Sequence, residues 1–333
     1  MTSPSENPVY DAVLAYQKTA AITAAVKLDI FTLIGAGTMT IESLAAHTGA
    51  SPRGLRILCD YLTVIGLLAK QHSSYDLTPS AKRFLDRSSP LALGSCVDFL
   101  AAPEMLTFAL SDPVSYVRRG GSTGLENIAS DHPIWVRFAN AMVPLAAPAA
   151  KRVASYVAAL PTPPRSVLDI AAGHGLYGIE VARALPEAVV TAVDSAEVLA
   201  VAQENARAAQ VDDRFRTIVG SAFDAEWGGG FDLVLLPNFL HHFGRDECVS
   251  VLRRIKASLS PAGQVLVVEF VPNADRVSPP LQATFAFLML VSTPSGDAYT
   301  LGDLEEIARD AGFRSVTARP LAPTPQTLVV LAT

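Results

Sequence analysis

The sequence predicts an α/β chain in which a mostly helical N-terminal part precedes a domain with a mostly parallel sheet and helices on both of its faces. Three observations predict this. From residue 166 onward, short runs rich in Val, Ile and Leu alternate with helical patterns, as strands joined by crossover helices do. Before residue 160, apolar residues recur at helical spacing instead. Between the two textures, Pro161-Thr162-Pro163-Pro164 stacks prolines that cannot continue a helix.

Composition sets the outer limits. The 333 residues give room for about two domains. Half of them are hydrophobic and 17% are charged, which excludes disorder as the main state. The longest apolar run, near 285–291, falls far short of the roughly 20 residues needed to span a bilayer. A net charge of −6 argues against a nucleic-acid binder, whose footprint is basic. Cys59, Cys96 and Cys248 lie far apart, so neither a disulfide framework nor a zinc cluster is suggested. No basic segment followed by an apolar one opens the chain, and a soluble cytoplasmic protein is expected.

The elements follow in order. Residues 10–27 are Ala-rich and amphipathic, with Val13, Tyr16, Ala20 and Ala24 at helical spacing. A short helix at 41–48 follows Thr40, a natural N-cap, and Gly49 ends it. Ser51-Pro52 starts another helix, proline taking the favoured first position. Leu55, Leu58, Leu62 and Ile65 line one face before Gly66. Residues 67–70 and 75–77 can pair as a hairpin, and the whole reads as a winged-helix pattern. Such a pattern suggests DNA, yet residues 1–90 hold eight Lys/Arg against seven Asp/Glu, a balance of +1, which is poor for phosphate neutralisation. A structural or dimerising role over residues 1–100 is the better reading. Residues 101–160 form a helical link with Trp135, Phe138, Met142 and Leu145 as a stripe. In the third segment, 161–333, strands are predicted at 166–170, 189–193, 215–219, 231–236 and 264–270, with helices from 176, from 196 and near 246–259. A helix at 301–311 then precedes strands at 313–318 and 327–331. Their short link makes them antiparallel.

The first of these strands runs into Asp169-Ile170-Ala171-Ala172-Gly173-His174-Gly175, and the second ends at Asp194. Glycines let a ligand approach the backbone, the helix N-terminus offers free N–H groups, and an acid at the second strand end can hold a ribose. Gly173-His174-Gly175-Leu176-Tyr177-Gly178 matches the dinucleotide pattern, so NAD competes. Three features favour S-adenosylmethionine (SAM). Asp169 suits a cationic amino group and offers nothing to a pyrophosphate. Asn238 to Phe243 form a polar and aromatic cluster where ligands bind. The final antiparallel pair does not fit a plain dinucleotide half-sheet.

Together with Gly220-Ser221-Ala222-Phe223 and Leu259-Ser260-Pro261-Ala262-Gly263, these segments resemble a class I SAM-dependent methyltransferase. With the N-terminal pattern, nearly the whole chain resembles the small-molecule O-methyltransferases of the caffeic-acid, hydroxyindole and bacterial polyketide type. The resemblance implies a Rossmann-like, seven-stranded SAM methyltransferase domain preceded by a mostly helical winged-helix dimerisation domain. It also implies a homodimer, a small-molecule acceptor and S-adenosylhomocysteine as product. Asp169, Ala171 and Gly173 would line the methionine end of SAM, with Gly175 and Asn238 beside them. Asp194 would hold the ribose, Ser221 and Ala222 would meet the adenine amine, and Phe223 and Phe243 would flank its ring. Ala171 stands where the family has Gly, at little cost if its φ is negative. Ser221 replaces a usual Asp.

For the chemistry, a histidine is the natural base for a phenol whose pKa is about 10. His241 fits the family's catalytic position, and Glu269 at the end of a neighbouring strand could orient it. The family often has a second Glu where this chain has Ala298, so that clamp is missing or shifted to Asp297. Trp135, Phe138, Met142, His242 and the segment 281–290, Phe287 within it, would wall an apolar acceptor pocket. Core packing explains the same stripe of Trp135, Phe138 and Met142. No metal is needed, and no cluster of histidines has metal-ligand spacing. N- or C-methylation on the same scaffold, a non-methylating enzyme of this fold, and a ligand-sensing winged-helix regulator remain open on sequence.

Overall fold

A computed structural model of the protein describes residues 7–123 and 132–333. The part of the helical expectation that falls on 124–131 lies outside the described residues. The chain divides into two compact units, Met1–Leu106 and Thr107–Thr333.

The first unit contains helices α1 (Pro8–Val13), α2 (Ala15–Lys27), α3 (Ile30–Gly35), α4 (Ile41–Thr48), α5 (Pro52–Val64), α6 (Pro79–Phe84) and α7 (Val97–Leu100). Its three-stranded antiparallel sheet is built from β1 (Met39–Thr40), β2 (Leu68–Gln71) and β3 (Ser74–Leu77), in the order β1-β3-β2. Local chemistry explains the boundaries. Thr40 caps α4 by accepting from the Ser43 N–H, and Gly49 ends it at φ 67°, in the left-handed region. The single helix expected at 10–27 is broken at Leu14, whose ψ of 6° leaves helical geometry. None of the residues of α1 is buried, so no packing aligns it with α2. The core is formed by Ile30, Phe31, Leu44, Leu55, Leu62 and Tyr75 among others.

Helix α8 (Pro103–Leu110) leads into the second unit, which begins with α9 (Pro113–Arg119) and the long α10 (Pro133–Ala158). Pro144 and Pro148 lie inside α10. Each removes an N–H from the helical ladder, at the junction between two differently used halves. The C-terminal half buries Ala146, Ala149, Ala150, Val153 and Val157 against the sheet, while Trp135, Phe138 and Met142 on the N-terminal half are only half-buried.

The strands are β4 (Ser166–Ile170), β5 (Val189–Asp194), β6 (Phe215–Val219), β7 (Phe231–Pro237), β8 (Leu259–Glu269), β9 (Ser315–Pro320) and β10 (Thr327–Ala332), in the order β6-β5-β4-β7-β8-β10-β9. The first five are parallel, and β10 runs antiparallel to both β8 and β9, as expected. Helices α11 (Leu176–Ala184) and α12 (Ala196–Ala208) join α10 on one face. Helices α13 (Arg245–Ser258) and α15 (Leu301–Asp310) cover the other. Strand alternation divides the two cores: Leu233 and Leu235 enter one, Val234 and Leu236 the other. Each fully buried Leu or Val contributes about 1.5–3 kcal/mol. Strand β8 begins earlier than the periodicity predicts. Leu259 already pairs with Phe231 across an irregularity, and Gly263 lets the strand return, since a Cβ there would stand 2.7 Å from the Phe231 carbonyl oxygen.

The strands fill outward from β4 in two directions, β5 and β6 to one side and β7 and β8 to the other. The reversal falls between β4 and β7, and ligands bind beyond the carboxyl ends of the strands at such a point. The remaining helix, α14 (Pro280–Ser292), is the apolar segment expected near 281–290. Among the described residues no helix is long and apolar enough to cross a membrane.

Candidate active site

The loop from β4 to α11 shows why its glycines are there. The Gly173 N–H donates to Asp194 Oδ2 at 2.9 Å, tying the loop to the end of β5. Gly175 has φ 76°, and a Cβ on it would lie 2.9 Å from that of Ala202. Gly178 lets α11 close on the sheet, where a Cβ would meet Val190 at 2.7 Å and Asp169 Oδ2 at 2.8 Å. Its N–H donates to that carboxylate at 3.0 Å. His174, between the glycines, accepts from the Leu176 N–H through Nδ1, and burial pushes its pKa down to about 4, keeping it neutral.

Ala171 does not have the negative φ that would make it an inexpensive replacement for glycine: its φ is 51°, in the left-handed region. That conformation costs an alanine about 1–2 kcal/mol, against about 0.5–1 kcal/mol of extra chain entropy that glycine loses on folding. Ala171→Gly should therefore stabilise the protein by about 0.5–1 kcal/mol in urea unfolding. A loss of stability would show that the packing of its methyl group outweighs the strain.

Five buried side-chain polar atoms lack a partner among the described residues, and three of them sit on this one edge: Asp169 Oδ1, Ser195 Oγ and Asn238 Oδ1. Asp169 lies one residue before the end of β4, Ser195 follows β5 and Asn238 follows β7. Buried polar atoms are normally paired, so this grouping points to a ligand with several donors. SAM would fit that demand, with an ammonium for Asp169 and ribose hydroxyls for Asp194 and Ser195. Burial raises the pKa of Asp169 well above the carboxylate range, with Asp194 adding to it and the Gly178 N–H opposing it. Asp194 is raised too, by burial, against the N–H groups of Gly173 and Ser195. Nothing in the sequence marks Ser195 as a site residue. It reads as an N-cap, but its hydroxyl makes no capping bond.

The residues expected beside the adenine follow β6, with Phe243 after β7. Ser221 is exposed and its Oγ accepts from the Phe223 N–H at 3.1 Å, a local turn bond. Ala222 is buried, and its carbonyl accepts from Arg254, which also holds the Ala225 carbonyl. Phe223 and Phe243 touch edge to face, with centroids 4.9 Å apart, and Phe239 lies 4.7 Å from Phe243. The rings form one wall rather than two facing plates.

The third cluster joins β7 to β8. Glu269 Oε2 lies 2.6 Å from His241 Nδ1, and both residues are buried, at 2% and 4% exposure. Glu269 Oε1 accepts the backbone N–H groups of Phe239 and His241 at 3.1 and 3.3 Å. One carboxylate thus fixes both the imidazole and the turn that carries it. Behind the turn, Tyr299 donates to the Phe243 carbonyl at 2.7 Å, and Gly296 packs so closely that a Cβ would sit 2.2 Å from the His241 carbonyl oxygen. The His242 ring stands 4.3 Å from that of His241, and burial, with His241 beside it, pushes its pKa well down. Asp297 is tied to Arg276 at 3.1 Å, and Ala298 is buried, so Glu269 is the carboxylate bonded to His241 among the described residues.

The aromatic ring against His241 is Phe285, edge-on at 4.8 Å and stacked on Phe270 at 4.2 Å. Phe287, expected in this wall, is 57% exposed and contacts Tyr116 instead. Two residues along a helix turn about 200°, so only one of the pair can face the histidine.

Known proteins resemble the chain along nearly its whole length. A family model of the O-methyltransferase domain matches residues 105–314, and one of the O-methyltransferase dimerisation domain matches residues 10–87. The tetracenomycin polyketide synthesis 8-O-methyl transferase TcmO of Streptomyces glaucescens is 27% identical, covering 97% of this chain and 95% of its own. The 3-hydroxy-5-methyl-1-naphthoate 3-O-methyltransferase of Streptomyces sahachiroi is 28% identical, over 94% and 91%. A crystal structure from Nostoc punctiforme PCC 73102, ascribed to the O-methyltransferases, is 44% identical over 99% of this chain and 100% of its own, with a TM-score of 0.93. The chain belongs to the O-methyltransferase family, with a dimerisation domain preceding the catalytic one.

Proposed function

We propose that this protein transfers a methyl group from SAM to a hydroxyl of a small aromatic or polyketide-like metabolite, with His241 as general base oriented by Glu269. The observation that carries the reading is the buried 2.6 Å contact between Glu269 and His241 Nδ1. It makes Nδ1 the protonated nitrogen and leaves the Nε2 lone pair for the acceptor hydroxyl. When bound, SAM supplies an electrophilic methyl on a good leaving group. His241 takes the hydroxyl proton, and Glu269 stabilises the imidazolium, as the acid does in a hydrolase triad. Phe285, stacked on Phe270, and the neutral His242 offer apolar ring surface beside the imidazole. The stripe of Trp135, Phe138 and Met142 on the 101–160 segment is proposed to complete it.

Asp169, Ala171, Gly173, Gly175, Asp194, Ser221, Ala222, Phe223, Asn238 and Phe243 are proposed to hold SAM. The orphaned oxygens of Asp169, Ser195 and Asn238 support this most directly. The N-terminal unit is proposed to pair two copies of the chain. In support, Val9, Tyr10 and Val13 of α1 and Tyr16 of α2 are large apolar side chains left exposed.

The test is transfer from methyl-labelled SAM to a panel of hydroxyarenes, each paired with its amino analogue. Label appearing in O-methyl products supports the reading. Label confined to the amines would move it to N-methylation, and the absence of SAM binding by calorimetry would remove the donor.

A further inference from the structure

Asn238 is unusual in backbone and in side chain at once. It follows the last residue of β7 with φ 52°, and its N–H is held by the Val268 carbonyl at 2.7 Å. An asparagine tolerates that φ, which by itself makes only a turn. Its amide is the informative part. Nδ2 lies 3.4 Å from the hydroxyl of the buried Tyr177, while Oδ1 is buried with no partner. An asparagine that merely serves a turn bonds its oxygen to nearby backbone. Here the oxygen has no such bond among the described residues, and the Tyr177 hydroxyl takes the other end of the amide.

Its place in the sheet says what the oxygen could meet. Strand β7 lies between β4 and β8. Asp169 pairs in register with Leu235, and Pro237 with Val268, one residue before Glu269. Asn238 therefore stands between the carboxylate suited to the amino end of the donor and the dyad suited to the acceptor hydroxyl. Between those two ends of the chemistry lies the sulfonium with its methyl group. We propose that Asn238 Oδ1 recognises the sulfonium and its polarised methyl, so that this residue tells SAM from S-adenosylhomocysteine. The inference rests on the donor assigned under Proposed function. An amide oxygen suits this role, being a dipole aimed at a cation and an acceptor for C–H groups, yet a far weaker nucleophile than a carboxylate. It also avoids over-stabilising a charge that is lost in the transition state. Tyr177 is the positioning residue that fixes which end of the amide faces the site.

Calorimetry of SAM and S-adenosylhomocysteine binding tests this without turnover. Asn238→Gly suits the left-handed backbone and removes only the amide. SAM binding is expected to weaken about five- to tenfold, while S-adenosylhomocysteine stays within about twofold. Equal weakening of both ligands, or of neither, overturns the proposal. If that variant does not fold, Asn238→Asp, which suits the same φ, should raise the preference for SAM over its product, and an unchanged or lower preference overturns the proposal equally. Wild-type protein that binds neither ligand would instead sink the donor assignment and this proposal with it. A wild type that binds both, with a ratio that the variants leave alone, sinks the Asn238 proposal only.

Discussion

Exchanging Glu269 for Gln should lower kcat about as much as removing the imidazole itself. On the proposed mechanism His241→Ala takes away the general base and is expected to cost about 10²- to 10⁴-fold. Glu269→Gln keeps shape and volume, and the two backbone N–H groups of Phe239 and His241 oblige the amide oxygen to stay at the Oε1 position. The amide nitrogen then takes the Oε2 position, 2.6 Å from Nδ1, and must donate to it. A ring that accepts at Nδ1 carries its proton on Nε2, so His241 presents a donor where it should present a lone pair. The comparable exchange in a hydrolase triad costs about 10⁴-fold through the same wrong tautomer. We expect about 10³–10⁴ in kcat, SAM affinity near wild type, and a double variant scarcely worse than either single one. Nitrogen-15 NMR of the imidazole reads the tautomer directly. A Glu269→Gln enzyme with wild-type kcat, under conditions where methyl transfer is rate-limiting, would remove the base assignment.

Asp169→Asn should separate binding from stability. The variant still accepts from the Gly178 N–H but offers no charge to a donor ammonium. A hydrogen bond to a charged group contributes about 1.5–3 kcal/mol, so SAM affinity should fall about 10²-fold. Stability should move the other way with pH. Burial raises the carboxyl above its unfolded pKa, so between the unfolded and folded values the native state holds the extra proton. Stability from this group is then full below the unfolded pKa and falls as pH rises toward the folded one. The variant lacks this loss. Its Tm relative to wild type should therefore increase as pH is raised from 4 toward neutrality without ligand, and reverse once saturating SAM is added to both. A difference in Tm that does not vary with pH would show that Asp169 is not held as a costly buried acid.

Much of this was readable along the chain because local rules govern it. Thr40 and Gly49 bound α4, a pair of short-range signals that tertiary structure had no reason to override. Four of the strand predictions come within a residue of β4, β5, β6 and β7, since continuous apolar runs between turns leave little choice of register. Asp169, Asp194, His241 and Glu269 could be picked out because each lies at or near the end of a strand, and the topology brings those ends together. What escaped depends on rotation and long-range approach. Phe285 and Phe287 differ only in where α14 turns them. Ala171 gives no sign in the sequence of its positive φ. Ser195 looks like an ordinary cap until its hydroxyl is found without a partner. The two-residue β1 exists only because β3 is there to receive it.

Helix α10 has one more consequence. Its C-terminal half is welded into the sheet's core, while the half bearing Trp135, Phe138 and Met142 begins beyond two prolines that interrupt the ladder. If Trp135, Phe138 and Met142 line the acceptor pocket as proposed, these half-buried residues stand outside the sheet's core, so acceptor preference can change there at small risk to the fold. For an engineer, residues 135, 138 and 142 are the natural positions for a focused library, and a lineage of such enzymes would be expected to diverge fastest at these same places.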